Sequence, residues 1–248
     1  MTNISAVIIT KDEEKNIERC INSMRSVADE IVVVDSFSTD KTQEICERLG
    51  ARFIQHEFAG YGTQKQFAVS VAQYDWILSL DADEVLSDEL ASSIKALKEN
   101  LSDPTIGYSL TRRNYYCQKL IRFYRWGYEN KTRLFNRTQT NWSNNLVHEV
   151  VDGKKLKQIE KLKGDLLHFT YDSVEQHEEK IANYGKLGAQ EVKESGKRYN
   201  QFTIILKTIY RFFSSYILKL GILDGYYGFK ISQMDAKYVY MKYSGGKK

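Results

Sequence analysis

Trp76-Ile77-Leu78-Ser79-Leu80-Asp81-Ala82-Asp83-Glu84 is the stretch on which the reading of this chain turns. Its apolar beginning suits a buried strand, and its end delivers two carboxylates where that strand stops. Side chains two residues apart on a strand share a face, so Asp81 and Asp83 are expected to look toward a single cation. Magnesium and manganese take hard oxygen ligands, commonly one or two protein carboxylates, and leave their other positions to water and phosphates. The spacing predicts a site for Mg2+ or Mn2+ carrying a diphosphate. Asp-x-Asp also arises on ordinary surfaces, and the preceding strand is what raises it above chance.

Upstream, residues 4–10 are apolar and β-branched, followed by Ile17, Cys20, Ile21, Met24 and Val27 at amphipathic helical spacing behind an acidic first turn. The pattern repeats in Ile31-Val32-Val33-Val34-Asp35, a polar turn from Ser36 to Asp40, and a helix through Ile45 and Leu49 that stops at Gly50. A short strand around Arg52 to Ile54 follows, then a loop marked by Gly60 and Gly62, then a helix over Gln64 to Gln73. Alternating strands and helices predict a mostly parallel α/β sheet, whose ligand crevice lies at the carboxyl ends of the strands. Thr10, Asp35 and Asp81 stand at three such ends, so three strands are expected to aim polar groups at one crevice.

Downstream, Gly107 to Phe169 reads as short polar and aromatic strands, Lys131-Thr132-Arg133-Leu134-Phe135 among them. A long charged helix is predicted over Ser173 to Glu194, and a strongly apolar one from about Phe202 to Leu220. Lys207, Arg211 and Lys219 interrupt the latter, so it falls short of a transmembrane span. The domain organisation expected is a catalytic domain over residues 1–170 and a helical extension over residues 171–248.

The chain has 248 residues, 42% of them hydrophobic, enough for one substantial core and an appended helical segment. Three widely separated cysteines suggest neither a disulfide framework nor a zinc site, and the first residues carry no basic leader, so a cytoplasmic location is expected. Net charge is +4, but residues 200–248 hold eight Lys/Arg against Asp224 and Asp235. With its many aromatics, that tail points to the surface of the inner membrane rather than to nucleic acid, and a homodimer interface or a helix packed on the core is the competing reading.

The ordered set of motifs resembles the inverting, family-two glycosyltransferases of GT-A fold, in particular the lipopolysaccharide-core glucosyltransferase-like branch. The residues that carry this resemblance are Ala6 to Glu14, Glu30 to Asp40, Gly62-Thr63-Gln64-Lys65-Gln66, Asp75 to Glu84, Arg133-Leu134-Phe135, Val147-His148-Glu149 and Leu223 to Gly228. The resemblance implies a GT-A catalytic domain with a UDP-sugar as donor and a cell-surface glycan or glycolipid as acceptor. It places Thr10 at the nucleotide end of the first strand, Glu13 and Asp35 close to the base and ribose, and Lys65 beside the nucleotide or its phosphates. Gln66 stands where the family usually has Asn. Asp35 and Glu13 also suit plain helix capping, and Lys65 a solvated helix face.

Transfer of a sugar with inversion needs a general base for the acceptor hydroxyl, and stabilisation of the departing diphosphate by the metal. Glu149 is the candidate base and His148 its alternative, the latter also a candidate metal or phosphate contact or a hydrogen-bonded core histidine. Asp152 and His168 rank below them. Arg133 could reach phosphates through its guanidinium fork. Trp126-Gly127-Tyr128 suits either an aromatic wall for a sugar or core packing. Two other classes fit less well. A nucleotidyltransferase wants a glycine-rich basic loop after the first strand, where this chain has Thr10-Lys11-Asp12-Glu13-Glu14. A non-catalytic glycan-binding protein would keep the fold without turnover.

Overall fold

Ile4–Thr10 forms β1, and its side chains are buried on both faces in the computed structural model, which describes residues 2–123, 126–143 and 149–246. Alternation decides which core each side chain joins. Ile4, Ala6 and Ile8 enter one cluster, which also holds Ile17, Cys20, Ile21 and Met24 from helix α1 (Ile17–Met24). Val7 points the other way, into a cluster with Ala68 and Val69 of α3 (Tyr61–Ser70). Strands β2 (Glu30–Asp35) and β4 (Trp76–Asp81) divide likewise: Val33, Leu78 and Leu80 go to the first cluster, and Val32, Val34 and Ile77 to the second. A sheet buried on both faces explains why these strands read as continuous apolar runs. The expected helical face from Ile17 to Val27 is wholly buried, each such side chain contributing about 2 kcal/mol on transfer from water.

The remaining elements are α2 (Thr42–Arg48), β3 (Arg52–Gln55), β5 (Glu84–Leu86), α4 (Asp88–Leu97), β6 (Ile106–Tyr116), β7 (Lys119–Leu120), β8 (Tyr128–Asn136), β9 (Gln158–Tyr171), α5 (Val174–Glu194), α6 (Gln201–Phe213) and α7 (Gly225–Ser244). Among the described residues the strands run in the order β3-β2-β1-β4-β8-β6-β9-β5, with β7 beside β6. β3, β2, β1 and β4 are mutually parallel; β8 is antiparallel to β4. This is the α/β class expected of a GT-A fold. Chain order reverses between β1 and β4, so a crevice opens there at the carboxyl ends.

The described residues fall into two compact units, Met1–Arg112 with Glu129–His168, and Arg113–Tyr128 with Phe169–Lys248. The second unit has its own aromatic core. Tyr116, Ile121, Tyr171 and Ile231 are buried there, Trp126 stacks on Tyr171, and the Tyr116 hydroxyl lies 3.1 Å from Nδ1 of His177. Core packing is thus what Trp126 does. Burial pushes the His177 imidazole down to about 4, so it is neutral at physiological pH. Ser173 and Asn200 cap α5 and α6 by accepting the backbone N–H groups of Gln176 and Thr203.

Three sequence expectations meet a different outcome. Helix α3 begins at Tyr61 and ends at Ser70, because Gly60 turns the chain at φ 123° and Gly62 lies inside the helix rather than in a loop. The middle of the chain forms long strands, not short ones, reaching 14 residues in β9. The apolar helix from Phe202 stops at Phe213 and passes through a π-helical turn over Ser214–Leu218.

Candidate active site

The register of the sheet sets the site. Thr10 pairs with Asp35 and Ile9 with Asp81, so the ends of β2, β1 and β4 are level. The loops that leave β1 and β2 each contain a non-glycine residue in the left-handed region, Asp12 at φ 52° and Phe37 at φ 60°. Such residues are uncommon and mark shaped loops. The Thr10 hydroxyl is buried with no hydrogen-bond partner among the described residues. Asp35 is fully buried and accepts the backbone N–H of Ser38 at 2.7 Å and its hydroxyl, closing the following turn on itself. Glu13 accepts from the Asn16 side-chain amide at 2.6 Å.

Asp81 is pinned by two cations. Its Oδ1 lies 2.8 Å from Nζ of Lys65, and its Oδ2 accepts from a guanidinium nitrogen of Arg133 at 2.9 Å. Burial alone would push this carboxyl up, but Lys65 and Arg133 outweigh it and hold Asp81 well below the usual carboxylate range. The lysine is itself 3% exposed and reaches Oε1 of Glu149 at 2.7 Å. Arg133 makes a second contact, to Oε1 of Glu84 at 2.7 Å, and Glu84 in turn accepts the backbone N–H of Asp81. Both cations lie against the Trp142 ring, Lys65 at 4.4 Å and Arg133 at 5.3 Å from its centroid. Lys65 and Arg133 are therefore buried charges held by carboxylates and an aromatic face, neither a solvated helix charge nor an exposed strand charge.

Asp83 is placed differently. Strand β4 ends at Asp81, and Ala82 and Asp83 form a turn before β5. Strand alternation therefore stops before it could align the two aspartates. Asp83 instead lies with Oδ2 3.2 Å from Nε2 of His168, because antiparallel pairing sets Glu84 of β5 opposite His168 of β9. A carboxylate oxygen beside an imidazole nitrogen is a donor pair that suits a divalent cation of the first row, whereas magnesium prefers the oxygen alone. Among the described residues no group of three or more His, Cys, Asp and Glu is arranged as a metal cage.

A cavity of about 330 Å3 is lined by Asp81, Arg112, Arg133, Trp142 and Glu149. The structure thus brings Lys65, Asp81, Arg133 and Glu149 together, sets Thr10 and Asp35 on the adjacent strand ends, and joins Asp83 to His168. Asp152 accepts the N–H of Lys154 and caps a short turn. His148 lies outside the described residues. Sequence reading gave no role to Glu84, although it stands in the decisive stretch, and none to Trp142. An acidic residue after a strand and a tryptophan in a loop carry no signal until the residues they touch are known.

Residues 5–165 match the family model described as Glycosyl transferase family 2. An uncharacterized glycosyltransferase of Rickettsia bellii (strain RML369-C) is 34% identical, over 94% of this chain and 82% of the relative. The lipopolysaccharide core biosynthesis glycosyltransferase LpsC of Rhizobium meliloti (strain 1021) is 32% identical, over 82% of this chain and 76% of its own length. Among solved structures, S. aureus TarS superposes with a TM-score of 0.48 at 17% identity, over 74% of this chain and 40% of that one.

Proposed function

This chain belongs to glycosyl transferase family 2 and is a glycosyltransferase, and from that premise we propose that it moves a hexose, glucose in the first instance, from a UDP-sugar to a cell-surface glycan or lipid-linked acceptor with inversion at the anomeric carbon. Residues 1–170 hold the catalytic machinery in this reading. The observation that carries it is the position of Glu149, whose carboxylate sits on the wall of the same cavity as Asp81 and is held there by Lys65. The likeness to LpsC supports an acceptor of the lipopolysaccharide-core class.

In this reading the donor lies across the ends of β1, β2 and β4. Thr10, whose buried hydroxyl lacks a partner among the described residues, and Asp35 serve the nucleoside, with Glu13 beside them. A carboxylate accepts readily from the imide N–H of uracil. Lys65 and Arg133 fix Asp81 in one orientation and bring positive charge to the diphosphate side of the cavity. Asp83 and His168 would hold Mg2+ or Mn2+, which, when bound, would neutralise charge on the departing diphosphate. Glu149 takes the proton of the acceptor hydroxyl. The acceptor oxygen forms its bond to the anomeric carbon as the bond to the diphosphate breaks, and the electron pair leaves with the diphosphate.

Release of UDP from UDP-glucose, with Mn2+ and acceptor present, tests this reading alongside donor affinity by calorimetry. Glu149→Gln should lower turnover by roughly a hundredfold or more while leaving donor affinity nearly unchanged. Loss of donor binding in that variant would reassign Glu149 to holding Lys65.

A further inference from the structure

Helix α6 is built inside out. Its buried position is Ile204, and the half-buried positions toward α7 include Lys207, Thr208 and Arg211. Lys207 lies over the rings of Tyr199 and Tyr243, and Arg211 pairs with Asp235 of α7. The outward positions after Gln201 are all large and apolar: Phe202 is 70% exposed, Ile209 59% and Phe213 48%, with Ile205, Leu206 and Tyr210 between them. Exposed apolar side chains follow in the π-helical turn and beyond it, where Leu218 is 60% exposed and Leu223 59%. Ordinary surface helices point their apolar stripe at the core and their charges at water. Here Lys207, Thr208 and Arg211 join Ile204 and Phe212 on the side toward protein, and six large apolar side chains face out, of the kind that mark an interaction site.

The charges around the patch say what covers it. From Gln201 to Leu223 the sequence holds three cations and no acidic residue, so the segment stays net positive even with Arg211 paired to Asp235. The two acids of the tail are engaged within the second unit: Asp224 accepts the N–H groups of Arg122 and Phe123, and Asp235 is bonded to Arg211 and Ser215. A second copy of the chain would bring a matching positive charge and no exposed carboxylate from this segment to meet it. An anionic surface with an apolar interior complements both features. Among the described residues no helix is long and apolar enough to cross a membrane, so the element would lie along the interface.

We propose that the outward face of α6 and the turn following it, Phe202 to Leu223, docks this protein on the surface of an anionic lipid bilayer, with the helix in the plane of the membrane and its apolar side chains entering the acyl boundary. This inference does not depend on the donor or on the catalytic residues.

Flotation of the full chain with vesicles of phosphatidylcholine alone, or with about a third phosphatidylglycerol, tests it. Wild type should float with the anionic vesicles and much less with the neutral ones, and 0.5 M NaCl should weaken binding several-fold, on the order expected for screened charge. The variant Phe202→Ser/Leu206→Ser/Ile209→Ser/Phe213→Ser changes only outward side chains, so its helix content and melting should stay near wild type while flotation falls at least about tenfold. Equal flotation of variant and wild type overturns the proposal. So does absence of wild-type binding, and a dimer in solution that the same variant dissociates would then make the face a self-association surface. Should the quadruple variant lose its fold, Phe202→Ser/Ile209→Ser is measured in its place by the same criteria.

Discussion

Oδ2 of Asp83 lies 3.2 Å from Nε2 of His168, joining a turn after β4 to a strand far along the chain. Its neighbour Asp81, by contrast, spends both carboxylate oxygens on Lys65 and Arg133. The two acids of Asp-Ala-Asp therefore have different partners: Asp81 is held by Lys65 and Arg133, and Asp83 lies beside His168, the pair assigned to the cation in the proposed function.

From this division Asp83→Asn and His168→Asn should each weaken Mn2+ binding by roughly ten- to a hundredfold, the usual scale for loss of a ligand or its supporting contact. Melting would change little without metal. Titration of Mn2+ by electron paramagnetic resonance reads the affinity directly, and unchanged affinity in both variants would remove the assignment.

Lys65→Met should destabilise the protein by roughly 3–5 kcal/mol, because it leaves Asp81 with one cation and Glu149 without its lysine partner in a buried setting. The Asp81 carboxyl is held below its ordinary value of 3.8, so its contribution to stability is complete above that pH and is lost as pH falls below it. With Lys65 gone the depression shrinks, so the loss of stability below pH 3.8 should be smaller than in the wild type. Urea unfolding of both proteins between pH 3 and pH 7 checks the size and the window.

His177 gives a pH dependence of the opposite kind of group but the same sign. Its folded value of about 4 lies below the ordinary 6.5, so between these values the unfolded chain binds the extra proton and stability falls as pH drops. Going from pH 7 to pH 5 should cost about 2 kcal/mol through this residue. His177→Gln keeps an acceptor for the Tyr116 hydroxyl and does not titrate, so its stability should be flatter across that interval. Parallel slopes for the two proteins would show that the imidazole is not buried as described.

Asp224 offers a test confined to the second unit. Its two oxygens accept the N–H groups of Arg122 and Phe123, each at 3.0 Å, and it is 4% exposed. Asp224→Ala should lower stability by about 2–3 kcal/mol and Asp224→Asn by less, since the amide retains one acceptor oxygen. Thermal melting followed by tryptophan fluorescence, with Trp126 close by in the same unit, reports both.

Much of this was legible in the chain. Ile4 to Thr10, Ile31 to Asp35 and Trp76 to Leu80 announce buried parallel strands because no surface strand can be apolar on both faces, and Ile17, Cys20, Ile21 and Met24 announce the helix that covers them. That Thr10, Asp35 and Asp81 stand at neighbouring strand ends followed from the apolar runs before them, and the sheet register sets those ends level. The inverted polarity of α6 was half visible: the sequence shows an apolar stripe with cations opposite, and nothing in it says which side meets the rest of the protein.

What only the tertiary structure decided was partnership. Sequence alternation would set Asp81 and Asp83 on one face of a strand, but β4 ends at Asp81 and Asp83 lies in the turn after it, and where a strand stops depends on its neighbours in the sheet. The pairing of β5 with β9 brings His168 to Asp83, and the approach of α3 and β8 brings Lys65 and Arg133 to Asp81. Local spacing determines which way a side chain leaves its own element; contacts between residues far apart in the chain are fixed only when the elements pack. The sequence by itself therefore determined the α/β sheet and the end at which chemistry is expected, and packing decided that Asp81 is held by Lys65 and Arg133 while Asp83 meets His168.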